Sequence, residues 1–188
     1  MTITQLLSRI RPLDEEAMDR ARKRQAELAK PPGSLGRLED LSVRLAGITG
    51  QVCSRTDRKE LLVFAADNGV VAEGVSSAPQ SVTASQTVNL TRGKTGAAVL
   101  CRRFGVKLTV CDVGVNADLH CPAVLDRKIV YGTRNLAVEP AMTRAETEKA
   151  ILTGAELAMA ADAQVLGIGE MGIGNTTTSS AVLASLLG

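Results

Sequence analysis

A doubly wound α/β fold with a parallel sheet, preceded by a small helical region, is what three features of the sequence predict. The first fifty or so residues carry helical periodicity only. From Glu60 onward, apolar runs of strand length alternate with helix-length segments, and that alternation implies right-handed crossovers between parallel strands. Residues 61–66 are continuously apolar, the pattern of a strand covered on both faces. The expected division is a helical region over residues 1–55 and an α/β domain over residues 56–188.

Each element has its own signal. Residues 3–10 read as a short amphipathic turn. Residues 14–29 read as a helix, because Asp14, Glu15 and Glu16 fill its first turn and bases follow, as the helix dipole favours. Lys30-Pro-Pro-Gly-Ser-Leu-Gly36 ends that helix, since two prolines cannot continue it. A second helix over 37–48 places Leu38, Leu41, Val43, Leu45 and Ala46 on its apolar stripe. The strand at 61–66 runs into Asp67-Asn68-Gly69. Helices over 81–90 and 95–104 lead to a strand at 107–112. A third strand is expected at 127–131, then a helix over 144–163, a strand at 164–168 and a helix over 176–187.

The chain is organised around Val165-Leu-Gly-Ile-Gly-Glu-Met-Gly-Ile-Gly-Asn-Thr-Thr-Thr178, which reads as strand, loop and helix start. Gly167, Gly169, Gly172 and Gly174 are expected to permit positive φ and close approach to a ligand, with Asn175, Thr176 or Thr177 capping the helix. Free N–H groups at such a start attract anions, phosphate above all. Gly167-x-Gly169-x-x-Gly172 also fits the dinucleotide spacing. That fingerprint, however, opens the first βα unit of its domain, whereas this one follows a late strand and encloses the charged Glu170. A site for a phosphorylated small molecule is the stronger reading.

In an open α/β sheet ligands bind beyond the carboxyl ends of the strands, and Asp67, Asp112 and Glu170 fall at or just after such ends. Asp67-Asn68-Gly69 also suits a simple turn. The Asp112-x-Gly-x-Asn-x-Asp118 stretch has a calcium-loop look but lacks flanking helices and the closing glutamate. Thr91-Arg-Gly-Lys-Thr-Gly96 lacks the upstream strand and first glycine of a phosphate-binding P-loop.

Composition closes other routes. At 188 residues, 45% hydrophobic and 22% charged, the chain has the makeup of a soluble globular protein. A net charge of +2 with no Trp, one Tyr and two Phe offers neither a basic field nor stacking platforms for nucleic acid. Cys53, Cys101, Cys111 and Cys121 form no C-x-x-C pair and have only His120 to join them, so no metal is expected. No secretory signal is read at the start. No apolar run approaches the roughly 18 residues of a membrane span, and a cytoplasmic protein is expected.

Six segments together resemble one family. They are Lys30-Pro-Pro-Gly-Ser-Leu-Gly-Arg-Leu-Glu39; Ala66-Asp-Asn-Gly-Val70; Glu73-Gly-Val75 with Pro79, Val82, Thr83 and Gln86; Thr91-Arg-Gly-Lys-Thr-Gly96; Asp112-Val-Gly114; and Gly169-Glu-Met-Gly-Ile-Gly-Asn-Thr-Thr177. In this order they resemble the nicotinate-nucleotide:dimethylbenzimidazole phosphoribosyltransferases, the CobT family of cobalamin synthesis. The resemblance implies transfer of phosphoribose from nicotinate mononucleotide to 5,6-dimethylbenzimidazole or a related base, giving α-ribazole 5′-phosphate and nicotinate. It further implies no metal or other cofactor, a homodimer, and a Rossmann-like doubly wound sheet beside a small helical domain.

By position, the resemblance places Glu170 near base and ribose, Gln86 and Ala78 in the base pocket, and Gly172, Gly174, Asn175 and Thr176 by the nucleotide. Asp67 and Asn68 lie at the same cleft. Asn68 stands where the family often has histidine, and Ala78 where it has serine, which bears on the base accepted. The family's general-base glutamate, and a lysine that contacts nucleotide, are expected beyond Gly188, so no catalytic residue is assigned in this chain. The resemblance thus implies an N-terminal portion of the enzyme, with residues 1–55 part of the small domain and the α/β domain of residues 56–188 incomplete at its C-terminus. A truncated, noncatalytic nucleotide-binding module of the same fold is the alternative.

Overall fold

The computed structural model describes residues 1–188, which divide into two compact units, Met1–Asp57 and Arg58–Gly188. The first unit is helical: α1 Ile3–Leu7, α2 Glu15–Glu27 and α3 Arg37–Thr49. Asp14 caps α2 by accepting the Ala17 N–H at 2.9 Å. Ala17 and Ala21 of α2 pack on Ala46 of α3, where small side chains let the two helices approach closely. A Cβ at Gly47 would lie 2.7 Å from Met18 Cγ and Sδ, so a larger residue there would require the Met18 side chain to move. The Pro-Pro-Gly turn is closed by Lys30 Nζ on Glu39 Oε1 at 2.6 Å. That hydrogen bond from Lys30 holds the Glu39 carboxyl below the ordinary carboxylate range, and the Leu35 N–H adds to it.

The second unit contains β1 Lys59–Ala66, a 3₁₀ turn Gly69–Glu73, α4 Val82–Thr91, α5 Gly96–Arg103, β2 Lys107–Gly114, β3 Leu125–Asp126, α6 Arg144–Ala160, β4 Val165–Met171 and α7 Asn175–Leu187. The four strands form one parallel sheet in the order β3-β2-β1-β4. From β1 the chain moves outward through β2 and β3, then returns to the other side of β1 as β4. The direction of winding therefore reverses between β1 and β4. Such a reversal opens a crevice at the carboxyl ends of the two strands.

Burial follows from the apolar run of β1, in which Leu62, Val63 and Ala65 are all buried. Val63, Leu90, Val110 and Val124 form the core on the α4 face, with Leu61, Leu108 and Met171 packed against it. On the opposite face, Leu157 and Ala160 of α6 line a cavity with Glu60, Leu62 and Thr109. Glu60 is tolerated there because Thr109 Oγ1 and Lys107 Nζ donate to it at 2.6 and 3.2 Å. No helix is long and apolar enough to cross a membrane.

Three local expectations are corrected. The third strand is Leu125–Asp126, not 127–131. Asp126 Oδ1 accepts the Lys128 N–H at 3.0 Å, an Asx turn that stops regular pairing, although Arg127 and Ile129 still donate to Asp112 O and Val113 O. The last strand runs through Glu170 to Met171 instead of ending at 168, because its pairing with β1 continues to Phe64↔Glu170 and Ala65↔Met171. Finally, α6 ends at Ala160.

Candidate functional site

The site is built where β1 and β4 end. Asp67 and Asn68 follow β1 directly, Glu170 is the penultimate residue of β4, and residues 172–174 connect β4 to α7. Gly174, at φ +83°, occupies the N-cap position, and no side chain caps the helix. Asn175, Thr176 and Thr177 are therefore not the cap expected for them, and the N–H groups of the first turn have no side-chain acceptor. A left-handed residue at the cap turns the chain sharply into α7, which glycine does without steric strain.

The other glycines have a different cause from the one expected. Gly167, Gly169 and Gly172 do not adopt positive φ. A Cβ at Gly167 would lie 3.0 Å from Leu61 Cδ1, and one at Gly169 would lie 3.3 Å from Val63 Cγ2, so both make room for β1 side chains. Gly172 is buried. A Cβ there would overlap the Ala66 carbonyl oxygen and come within 2.9 Å of Asn68 Nδ2, so the close approach is to the end of β1.

Above Gly169 lies a cavity of about 300 Å³ that brings together two residues singled out from the sequence, Gln86 and Glu170. Leu61, Val63, Leu90 and Met171 supply its apolar wall. An apolar slot with a few polar groups at its edge suits a flat ligand. Gln86 is half-buried, and its Oε1 lies 3.4 Å from the donating Asn89 Nδ2. Asn175 Nδ2 donates to Glu170 Oε2, which links the start of α7 to the same edge. Partial desolvation pushes the Glu170 carboxyl above the ordinary carboxylate range.

Other candidates sit differently. Ala78 is half-buried in the loop before α4, its N–H on Ser76 Oγ, and is not among the residues lining this cavity. Thr176 is exposed in the first turn of α7. Asp67 is 2% exposed; its Oδ2 accepts the Asn116 N–H at 2.8 Å and its Oδ1 has no partner. Asp112 is occupied structurally. Its Oδ1 accepts the Gly114 and Val115 N–H groups, while Oδ2 takes Lys128 Nζ at 2.7 Å. The three carboxylates at the strand ends thus divide, and only Glu170 borders the cavity.

Asn68, expected at the cleft, holds the loop together with two hydroxyls that sequence reasoning missed, Thr83 and Thr178. Asn68 Nδ2 donates to Ile173 O at 3.2 Å, Thr178 Oγ1 donates to Asn68 Oδ1 at 2.9 Å, and Ile173 N–H donates to Thr83 Oγ1 at 3.0 Å. Thr83 and Thr178 lay inside highlighted motifs, but nothing local marked either hydroxyl as a tie. Lys128 had no signal at all, because its acceptors Asp112, Val115 O and Ala117 O are 11 to 16 residues away. A larger cavity beyond β2, about 470 Å³, is bordered by Asp118, His120 and Cys121, with Lys128 already engaged. No group of three or more His, Cys, Asp or Glu side chains is arranged to hold a metal ion.

Comparison with known proteins adds a family. The family model DBI_PRT, described as a phosphoribosyltransferase, matches residues 10–188. A nicotinate-nucleotide–dimethylbenzimidazole phosphoribosyltransferase of Ruminiclostridium cellulolyticum is 49% identical over all of this chain and 54% of its own length. The protein of the same name from Clostridium perfringens strain 13 is 47% identical over 99% of this chain and 52% of its own. A crystal structure of nicotinate-nucleotide-dimethylbenzimidazole phosphoribosyltransferase from Thermus thermophilus superimposes with a TM-score of 0.88 at 44% identity, covering 93% of this chain and 54% of that one. The chain spans about half the length of the curated relatives it matches.

Proposed function

Because the chain belongs to the phosphoribosyltransferase family DBI_PRT, we propose that it binds nicotinate mononucleotide and a benzimidazole-type base for phosphoribosyl transfer in cobalamin synthesis. The names of its relatives support these two substrates. The observation that carries the reading is the cavity shared by Gln86 and Glu170, set beside an uncapped helix start at the switch point of the sheet. A planar azole fits the apolar slot, and a phosphate fits the α7 start near Gly172, Gly174, Asn175 and Thr176.

The chemistry is a substitution at the ribose C1′. The unprotonated nitrogen of the azole forms a new C1′–N bond as the bond to nicotinate breaks, and the pyridinium nitrogen keeps the bonding pair and leaves neutral. The azole must then lose the proton on its other nitrogen. Glu170, with its pKa raised, accepts that N–H as a hydrogen bond and orients the ring. Gln86 supplies an amide to the same slot. We place the general base outside these 188 residues. On this reading the enzyme works in the cytoplasm as a homodimer.

Two measurements test it. Calorimetry of the 188-residue protein should show binding of nicotinate mononucleotide and of 5,6-dimethylbenzimidazole, and a chromatographic assay should detect little α-ribazole 5′-phosphate. General-base catalysis contributes roughly 10²- to 10⁴-fold, so rapid turnover would show that the base lies within this chain. Failure to bind either ligand at millimolar concentration would overturn the substrate reading. Binding of nucleotide alone, without base, would favour a noncatalytic nucleotide-binding module.

A further inference from the structure

Around the β4–α7 connection lies a part-buried hydrogen-bond cluster that the substitution chemistry does not use. Asn68 is 8% exposed and engages both ends of its amide, Nδ2 on Ile173 O at 3.2 Å and Oδ1 with Thr178 Oγ1 at 2.9 Å. Thr83, 0% exposed, accepts the Ile173 N–H at 3.0 Å. Ile173 is therefore gripped at both of its backbone polar groups, by the end of β1 and by α4. The third arm, Thr178, comes from the first turns of α7. Gly172, wedged against the Ala66 carbonyl, leaves the connection no room to shift toward β1.

A Gly-Ile-Gly connection left free would sample many backbone conformations, and a ligand would have to order it on binding. Three side chains from three elements remove that freedom in the unliganded protein. Resting on the function proposed above, we propose that Asn68, Thr83 and Thr178 are positioning residues: they hold residues 172–174 and the start of α7 in binding shape and so set affinity for the phosphorylated ligand without contacting it. Asn68 on this view is not a substrate contact. Its amide ties the floor of the phosphate site to the sheet.

The test separates the clasp from the reading it rests on. Hydrogen exchange of the free protein should show the Ile173 amide protected, and Thr83→Val should expose it. In calorimetry, Thr83→Val and Thr178→Val should each weaken nicotinate mononucleotide binding by about tenfold, the scale of one lost hydrogen bond. Thr178→Ser should restore wild-type affinity. Binding of 5,6-dimethylbenzimidazole, whose cavity has other walls, should stay within about twofold for all variants. A general folding defect would weaken both ligands together and would refute a positioning role. An unprotected Ile173 amide in the wild type, or valine variants that bind nucleotide normally, would overturn the proposal. If wild-type protein binds no nucleotide, the functional reading fails, and the exchange measurement alone decides the clasp.

Discussion

Replacing Gly172 by alanine is the most informative single change in the α/β unit. The added Cβ would overlap the carbonyl oxygen of Ala66, a residue held in the sheet by its pairing with Gly114 of β2, and would press within 2.9 Å of Asn68 Nδ2. Neither neighbour can swing aside like the end of a flexible side chain. Overpacking of this kind costs about 1–3 kcal/mol. Displacing Asn68 from Ile173 O adds about 1 kcal/mol for a hydrogen bond lost in a buried place. The total of about 2–4 kcal/mol converts to a fall in Tm of roughly 5–15 °C for a unit of this size. Gly154→Ala is the control, because that glycine lies inside α6 with open space around its Cβ. Helix propensity alone should raise stability there by up to about 1 kcal/mol. Both variants can be melted by circular dichroism beside the wild type. A Gly172→Ala protein that melts within about 2 °C of wild type would refute the account of this loop.

Three further outcomes are expected. Glu170 is raised above the ordinary carboxylate value by desolvation, so its ionised form costs stability once pH passes that value; Glu170→Gln should melt no lower than wild type at pH 7, match it at pH 4 and bind 5,6-dimethylbenzimidazole more weakly. A lowered Tm at pH 7 with normal base binding would mark Glu170 as structural. Glu146, held at about 2 chiefly by the Arg134 guanidinium and by Thr143, contributes stability that is present above 4.5 and is lost as pH falls toward 2. Glu146→Gln should therefore lose less stability than wild type across that window, and parallel pH–melting curves would contradict it. Among the thiols, burial pushes Cys111 up to about 11 and raises Cys101, whereas the Thr91 hydroxyl lowers half-buried Cys121 and Cys53 is exposed. Mass spectrometry after brief iodoacetamide treatment at pH 8 should find Cys53 and Cys121 modified first, and early labelling of Cys111 would overturn that order.

The parallel sheet and its flanking helices were legible because their causes are local. The apolar run at 61–66 has the pattern of a covered strand, and Asp14 and Pro31 mark helix ends by chemistry that acts within a few residues. Gln86 and Glu170 were also legible as a pair, through the resemblance, and the structure brings both to one cavity. What was not legible depends on distant partners. Asp112 reads as a free carboxylate at a strand end until Lys128 folds back on it, and the strand expected at 127–131 fails for the neighbouring reason, the turn at Asp126.

The glycines show most clearly where such a reading stops. Four of them around a glutamate pointed correctly to a backbone under unusual constraint, but the constraint on three is a neighbour within the protein and only Gly174 needs its positive φ. The distinction lies in register. Pairing of Phe64 with Glu170 sets the end of β4 beside the end of β1, and this places Asn68 against Ile173 and Thr178 across 105 and 110 residues of chain. No pattern within a window of helix or strand length can report a contact of that span. The winding reversal between β1 and β4 creates the crevice, and the same reversal supplies the side chains that stiffen its rim. The connection at this place is therefore held in one shape by the protein's own side chains.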